Sequence, residues 1–194
     1  MEQAVDREQL LGANKLLFIT HLAIGDYCYL QSCFRAFKQC YPHIEIHLWV
    51  EEVRRTSDSR EWPSLANYAL YDWVEESGLF TTLYRETYSP SLFESSIERA
   101  REEAYPIVVS LAEIRPHYFA QLARQIAPNG WVVGTYYPPA FYEISKKRSY
   151  HALDAVLEKY PAPIDRGQYH ISQVYSYWFG QLGVSRLSEE ERYP

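Results

Sequence analysis

The strongest constraint on the fold is a strand, helix and strand pattern within the first 50 residues. Lys15–Thr20 is a short apolar run with a β-branched residue near its end, which indicates a strand buried on both faces. Over residues 27–41 the apolar side chains recur every three or four positions, as on an amphipathic helix that Pro42 ends. Every second residue of 44–50 is Ile, Leu or Val, the period of a second strand. These elements predict a βαβ unit, whose crossover is almost always right-handed.

The same alternation continues along the chain. The patterns predict helices at 61–77, 90–104 and 115–127, strands at 79–84, 105–111 and 131–134, a loop at 136–148, and two further helices at 150–159 and 169–182. Repeated strand and helix alternation is typical of an α/β fold. We therefore expect a Rossmann-like, doubly wound, mostly parallel sheet with helices on both faces.

Length and charge limit the function classes. A chain of 194 residues fits one domain, and one of this size buries about 70% of its unfolded surface without a disulfide or metal. We expect a polar N-terminal extension at 1–14, an α/β domain at 15–185, and a polar tail or interdomain linker at 186–194. The net charge is −6, which argues against a dedicated nucleic-acid binder.

Cysteine spacing and hydropathy suggest a compartment. Cys28, Cys33 and Cys40 lie on one predicted helix, too far apart along its axis for disulfides, so they are expected to be free. Residues 1–14 are polar, and no apolar run reaches the length of a membrane span. His43 and His47 do not have the spacing of a metal site on a helix, so no metal is expected. These features predict a cytoplasmic protein.

The turn after the first strand is where ligands bind in such sheets. Residues 20–26 contain one glycine, Gly25, so both the dinucleotide-binding fingerprint and the Walker loop are absent. Gly25 is expected to let the backbone bend before the helix. Asp26 has two interpretations: a cap of the helix N-terminus, or a carboxylate held at the mouth of the sheet as a general base.

Three segments of the sequence resemble a known family. They are Lys15-Leu-Leu-Phe-Ile-Thr-His-Leu-Ala-Ile-Gly-Asp26, Phe34-Arg-Ala-Phe-Lys-Gln-Cys-Tyr-Pro42 and Glu45-Ile-His-Leu-Trp-Val50. In this order they resemble the opening of the family 9 glycosyltransferases, the ADP-heptose:lipopolysaccharide heptosyltransferases. Two later segments, Tyr105-Pro-Ile-Val-Val-Ser110 and residues 169–184, are similar to a strand and the closing helix of that family's first domain.

The resemblance implies a role for Asp26. At this position the family has the aspartate proposed as the base that deprotonates the acceptor hydroxyl. The family has two Rossmann-like domains, the GT-B arrangement, and its second domain binds most of the nucleotide-diphosphate sugar, which is a co-substrate rather than a cofactor. By this resemblance the chain is an acceptor domain for lipopolysaccharide biosynthesis, transferring a heptose-like sugar to a saccharide or lipid-linked acceptor. Alone it should be inactive, and peripheral contact with the inner face of the membrane is compatible with such an acceptor.

The chain departs from the family pattern at Ser32, Ser110, Ala112 and Glu113, which leaves the acceptor open. Candidate substrate-binding residues follow the carboxyl ends of three strands: Thr20, His21 and Gly25, then Arg54, Arg55 and Arg60, then Arg115 and His117. Arginine binds phosphate or carboxylate groups through two parallel hydrogen bonds. The alternative for these arginines, and for the basic run Lys146–Arg148, is ordinary solvated charge.

Two other function classes remain. One is a non-catalytic module of the same fold that binds a sugar or a phosphate. The other is an unrelated mononucleotide-binding α/β protein, which the lack of a glycine-rich phosphate loop disfavours. Coding sequence beyond Pro194 distinguishes the first class from a transferase, because a transferase of this kind needs a second α/β domain.

Overall fold

The fold is a parallel sheet of six strands. The computed structural model describes residues 3–161 and 170–184. The strands in these residues are β1 Lys15–Thr20, β2 Glu45–Val50, β3 Thr82–Tyr84, β4 Ile107–Ser110, β5 Trp131–Thr135 and β6 Ala155–Leu157. Their order across the sheet is β3-β2-β1-β4-β5-β6, and every neighbouring pair is parallel. The predicted Rossmann-like fold is therefore confirmed.

Helices connect the strands. Those in the described residues are α1 Arg7–Gly12, α2 Ile24–Cys40, α3 Trp62–Ala66, α4 Ala69–Glu76, α5 Pro90–Glu102, α6 Pro116–Ile126, α7 Ile144–Ser149 and α8 Ile171–Gln181, with a 3-10 turn at Tyr150–Ala152. None of the helices in residues 3–161 and 170–184 has the length and apolar character needed to cross a membrane.

The core lies on both faces of the sheet because alternate residues of β1 point in opposite directions. Phe18 belongs to the face covered by α2 and α8, where its ring centroid lies 5.0 Å from that of Phe34 and 5.5 Å from that of Phe179. Ile19 belongs to the other face, with Phe119 of α6. Burying one such phenylalanine contributes about 1.5–3 kcal/mol. Because β1 contributes side chains to the core on both faces and lies between β2 and β4, it is the central strand of the fold.

The N-terminal segment differs from the expected polar extension. It contains α1, and Leu10 of this helix is fully buried in the core. The backbone N–H of Ala4 donates to the carbonyl of Gln181 at 2.9 Å, and Trp131 donates to the carbonyl of Ala4 at 3.0 Å. The segment is therefore part of the domain, because its few apolar side chains and its backbone are used in packing.

Three other elements differ from the sequence prediction. The predicted helix at 61–77 is two helices, α3 and α4, separated at Asn67 and by the extended backbone of Tyr68. The predicted loop at 136–148 contains the start of α7. The predicted helix at 150–159 is a 3-10 turn followed by β6, since this segment pairs with the edge of β5. The predicted tail at 186–194 lies outside the described residues, as does the first residue predicted for the last helix.

The strand order places the site. β1 lies between β2 and β4, so the chain leaves β1 towards one side of the sheet and later returns to the other. In sheets of this kind a crevice opens outside the carboxyl ends of the strands where the order reverses. Here that position is above β1 and β4.

Candidate functional site

Asp26 lies in the first turn of α2, directly after β1. The cap residue of α2 is Ala23, so the interpretation of Asp26 as the N-cap itself is wrong. Asp26 is the third residue of the helix, and its Oδ2 accepts a hydrogen bond from the backbone N–H of Ala23 at 3.2 Å. An acidic residue at this position reaches back to the cap and satisfies a backbone donor that the helix leaves unpaired.

A second donor holds the same carboxylate. The hydroxyl of Tyr175, on α8, donates to Oδ1 of Asp26 at 3.2 Å. Tyr175 is only 5% exposed. Burial, and then the charge of Asp26, raises the pKa of the Tyr175 hydroxyl above its ordinary value of 10.0, so the hydroxyl remains protonated and able to donate. The Asp26 carboxylate is thus fixed through both of its oxygens.

Two further carboxylates lie within electrostatic reach of Asp26. Desolvation raises the pKa of Glu52, which follows β2; His21 opposes this rise and Asp26 adds to it. Desolvation also raises the pKa of Glu113, which follows β4, and there Asp26 again adds to the rise. The carboxyl edge of the sheet therefore concentrates acidic groups around Asp26. Within residues 3–161 and 170–184, no three His, Cys, Asp or Glu side chains come together as metal ligands.

A cavity of about 340 Å³ opens at the same edge. Its lining residues come from the ends of β1 and β2 and the start of α6: His21, Glu51, Glu52, Val53, Arg54, Arg55, Arg115 and Tyr118. Polar and charged side chains predominate in this lining. The composition suits a hydrated, charged ligand better than an apolar one.

An ion pair between the buried Glu51 and the half-buried Arg55 lines the cavity. Glu51 accepts a hydrogen bond from Arg55 at 2.8 Å and another from the Tyr118 hydroxyl at 3.0 Å. The guanidinium carbon of Arg55 lies 3.3 Å from the centroid of the Phe93 ring. Burial raises the pKa of Glu51, and the charge of Arg55 opposes that rise. Arg55 is therefore fixed between a carboxylate and an aromatic ring.

Arg115 differs from the other arginines of the cavity. It precedes α6 with φ 54° and ψ 46°, a left-handed conformation that is costly for a residue other than glycine. Its guanidinium carbon lies 5.4 Å from the centroid of Tyr118, and among the described residues it forms no ion pair. Arg54, by contrast, pairs with Glu61. Arg115 is therefore the cavity arginine without a direct ion pair among the described residues, although its charge lowers the pKa of the nearby Glu51.

His21 lines the cavity through a ring whose orientation is set by the backbone. Its Nδ1 lies 2.6 Å from the carbonyl oxygen of Glu51. A carbonyl only accepts, so Nδ1 carries the proton. In the neutral ring, this tautomer leaves Nε2 to accept a hydrogen bond. The same Nδ1 lies 3.8 Å from the carboxylate of Glu52.

Five predicted site residues do not line this cavity: Asp26, described above, and Thr20, Gly25, Arg60 and His117. Thr20 is buried, and its hydroxyl donates to the carbonyl of Trp49 at 3.0 Å, a contact between β1 and β2. Gly25 is an ordinary helical residue, and a Cβ there would meet nothing within 4 Å, so the bend expected of it is not required. Arg60 pairs with Asp58 and is 88% exposed at its side chain. The ring of His117 packs against Tyr150.

The sequence prediction missed Glu51, Glu52, Tyr118 and Tyr175. Glu51 directly follows β2, the same strand after which Arg54, Arg55 and Arg60 were predicted as site residues. Tyr118 lies in the helix predicted at 115–127, and nothing in that apolar pattern marks it as a site residue. Tyr175 is 149 residues from Asp26, and no local pattern links the two.

Comparison with solved structures places this fold beside glycosyltransferases. The E. coli heptosyltransferase WaaC with ADP aligns at TM-score 0.53 and 14% identity, over 90% of this chain and 48% of that chain. The glycosyl transferase family 9 structure from Veillonella parvula DSM 2008 aligns at TM-score 0.54 and 16% identity, over 91% and 44%. A dodecameric FMN-dependent Ubix-like decarboxylase from Escherichia coli O157:H7 aligns at TM-score 0.49 and 14% identity, over 89% and 96%.

The two glycosyltransferase alignments confirm the predicted resemblance at the level of the fold. The chain spans about half the length of the two glycosyltransferase structures. No protein-family model matches the sequence, and the search of curated proteins finds no match.

Proposed function

We propose that this chain is the acceptor-binding domain of a glycosyltransferase in which Asp26 is the general base. The observation that carries the proposal is the Asp26 carboxylate itself, which two donors hold at the carboxyl edge of the central strand. The glycosyltransferase-like fold supports the same assignment.

The geometry of Asp26 fits proton transfer. Each carboxylate oxygen has two lone-pair positions, and Ala23 and Tyr175 use one on each oxygen. The remaining positions can accept a hydrogen bond from the hydroxyl of an acceptor. As that hydroxyl oxygen bonds to the anomeric carbon of the donor sugar, its proton passes to Asp26. The bond between the anomeric carbon and the diphosphate breaks, and the nucleotide diphosphate leaves with the electron pair.

The cavity at the same edge of the sheet as Asp26, lined in part by the Glu52 that Asp26 influences electrostatically, is the proposed binding site of the acceptor. Arg115, which forms no direct ion pair among the described residues, would bind a phosphate or carboxylate group of the acceptor through paired hydrogen bonds. His21 would accept a hydrogen bond from a sugar hydroxyl through Nε2. Arg55 is held by Glu51 and Phe93, so its proposed role is to shape the cavity that it lines.

The donor half of the reaction is assigned to a second α/β domain. The chain spans about half the length of the two glycosyltransferase structures, which supports a missing partner domain for the nucleotide sugar. By the same resemblance, the proposed donor carries a heptose-like sugar on a nucleotide diphosphate, the acceptor is a saccharide or a lipid-linked saccharide, and the reaction belongs to lipopolysaccharide biosynthesis in the cytoplasm. No cofactor is required in this scheme.

The test is a transfer assay on the full-length gene product. It is incubated with ADP-heptose and other nucleotide-diphosphate sugars, and with phosphorylated and lipid-linked saccharides as acceptors. We expect release of the nucleotide diphosphate that depends on the acceptor. Binding of acceptors without transfer, in a product that carries a second α/β domain, would favour the non-catalytic binding module. Absence of both binding and transfer would overturn the proposal.

A further inference from the structure

A buried histidine lies in the amino-terminal half of β2, away from the carboxyl edge that carries Asp26. His47 is 2% exposed, and its Nδ1 lies 2.6 Å from the hydroxyl of Tyr105, two residues before β4. That hydroxyl lies 2.9 Å from the hydroxyl of Tyr84, on the edge strand β3. We call His47, Tyr105 and Tyr84 the His47 network. It joins three parts of the sheet and takes no part in the chemistry at Asp26.

The surroundings of His47 determine the direction of these hydrogen bonds. Nε2 faces the carboxylate of Glu45, whose Oε2 is 3.8 Å away, so the contact is electrostatic rather than a hydrogen bond. A carboxylate only accepts, so in the neutral ring the proton belongs on Nε2. Nδ1 then accepts from the hydroxyl of Tyr105, and the oxygen of Tyr105 accepts from the hydroxyl of Tyr84. Both hydroxyl protons are used in this arrangement.

Protonation of His47 reverses the direction of the network. With a proton on each ring nitrogen, Nδ1 must donate to Tyr105, and Tyr105 must then donate to Tyr84. The proton of the Tyr84 hydroxyl is left without an acceptor, because no other hydrogen bond to this hydroxyl forms among residues 3–161 and 170–184. Tyr84 is 3% exposed, and a donor left unpaired in such a position destabilises the structure that holds it.

The charges around His47 come from three elements. Desolvation lowers the pKa of His47 below its ordinary value of 6.5; Glu103, which follows α5, and Glu45 oppose this fall, whereas Lys15 of β1 adds to it. Lys15 and Glu103 pair with each other at 2.6 Å, so their effects on the ring act in opposite directions. A base with a lowered folded-state pKa gives stability that is complete above the unfolded value and is lost as pH falls through the folded value.

We propose that the His47 network is an acid-sensitive latch, which holds the edge strand β3 on the sheet and releases it when His47 takes up a proton. β3 has three residues and pairs with β2 alone, so the contact of the Tyr84 hydroxyl is a large part of its attachment. The carbonyl of Thr87, three residues after β3, accepts a hydrogen bond from Arg55 at 3.3 Å. Release of β3 would therefore also loosen the side of the cavity that Arg55 lines. The proposal goes beyond the proposed function and does not depend on the role of Asp26.

Hydrogen exchange of the 194-residue chain, followed by mass spectrometry, tests the latch. Exchange is measured at about pH 5 and about pH 7.5, on either side of the histidine range, and corrected for the intrinsic rate at each pH. We expect the protection of the β3 amides to fall in acid at least about fivefold more than that of the β1 amides, as for one buried donor left unpaired. Glu103 stays ionised over this range, because its bond to Lys15 lowers its pKa.

Three variants separate His47 from other sources of acid sensitivity. His47→Gln replaces the ring by an amide that does not titrate and whose oxygen can accept from Tyr105, so its β3 protection should follow that of β1 at both pH values. Tyr84→Phe lacks the hydroxyl proton that is left unpaired, so acid should affect its β3 amides less than those of the parent. His43→Gln is the matched control. His43 is exposed and contacts the carbonyl of Leu10, so this variant should keep the acid response of the parent.

A titration of the His47 ring by NMR in the parent protein adds a test that needs no variant. We expect a midpoint below 6.5, the ordinary value for histidine. A midpoint at or above 6.5 would overturn the proposal. The same acid response in His47→Gln and the parent, or an equal loss of protection in β1 and β3, would overturn it as well.

Discussion

The hydroxyl of Tyr175 donates a hydrogen bond to Oδ1 of Asp26 at 3.2 Å, across 149 residues of sequence. It joins α8, at the end of the described chain, to the first turn of α2. The backbone N–H of Ala23 holds the other oxygen of the same carboxylate. Asp26 therefore has a fixed orientation at the carboxyl edge of β1, which is what a general base needs.

Removing the Tyr175 hydroxyl should impair turnover more than binding. In the full-length gene product, Tyr175→Phe is expected to lower kcat about tenfold and leave KM within about twofold, since the carboxylate loses orientation but not its charge. Stability should fall by about 1 kcal/mol. Tyr177→Phe is the control, because that hydroxyl, on the same helix, donates to Glu158 instead. An unchanged kcat in Tyr175→Phe would show that the hydrogen bond only joins two helices.

Arg115 should determine affinity for an anionic acceptor group. Arg115→Asn removes the guanidinium and keeps a residue that tolerates the left-handed backbone at this position. We expect affinity for a monosaccharide phosphate, measured by calorimetry, to fall about tenfold or more. Arg60→Asn should have no effect, since Arg60 lies outside the cavity and pairs with Asp58. Equal affinity in Arg115→Asn and the parent would remove Arg115 from the site.

Breaking the ion pair between the buried Glu51 and the half-buried Arg55 should make the stability of the fold depend on pH. Arg55→Ala leaves a carboxylate with 9% side-chain exposure without its cation, at a cost of about 3 kcal/mol near neutral pH. Burial already raises the pKa of Glu51, and loss of Arg55 should raise it further. A raised folded-state pKa gives stability that is complete below the unfolded value and is lost as pH rises through the folded value.

The deficit of Arg55→Ala should therefore shrink as pH falls towards 4.5, the ordinary value for Glu51. Urea unfolding at a series of pH values measures this dependence. The double variant Arg55→Ala/Glu51→Gln is the control, and its deficit should vary less with pH. A deficit for Arg55→Ala that is constant with pH would contradict the assignment.

The sequence predicted the elements whose local pattern and final environment agree. β1 was predicted with the bounds it has, because an apolar run buried on both faces has the same appearance in sequence and in structure. β6 has only three residues, and it forms because Ala155 pairs with Val133 of β5, a contact that no local pattern encodes. α7 was predicted as a loop after Pro138 and Pro139, although Lys and Arg favour helices.

The site was predictable only in part, because the order of the strands places some of its residues and long-range packing places the others. Asp26, His21 and Arg115 follow strand ends, so the topology alone brings them to one edge. The second donor to Asp26 comes from α8, whose position depends on packing of the whole domain. Arg60 follows the same strand as Arg55, but its side chain pairs with Asp58. The order of the strands does not determine such a local contact.

The 194-residue chain should fold on its own and transfer no sugar. Its core is continuous on both faces of the sheet, so a cooperative thermal melt by circular dichroism is expected. Transfer requires the donor to be held against the acceptor, and this positioning supplies about 7–11 kcal/mol of the barrier reduction. Multiple-turnover transfer by this chain alone would show that the donor site lies within it.

The most direct measurement of the central claim is the turnover of Asp26→Asn in the full-length gene product. The substitution keeps the shape of the side chain and removes its ability to take a proton. We expect kcat to fall by about 10² or more, with a stability change of less than about 2 kcal/mol. Glu113→Gln, a change to a neighbouring carboxylate at the same edge, should lower kcat far less. Parent-like turnover in Asp26→Asn, with or without a loss of stability, would contradict the account and leave Asp26 as a residue of the helix terminus.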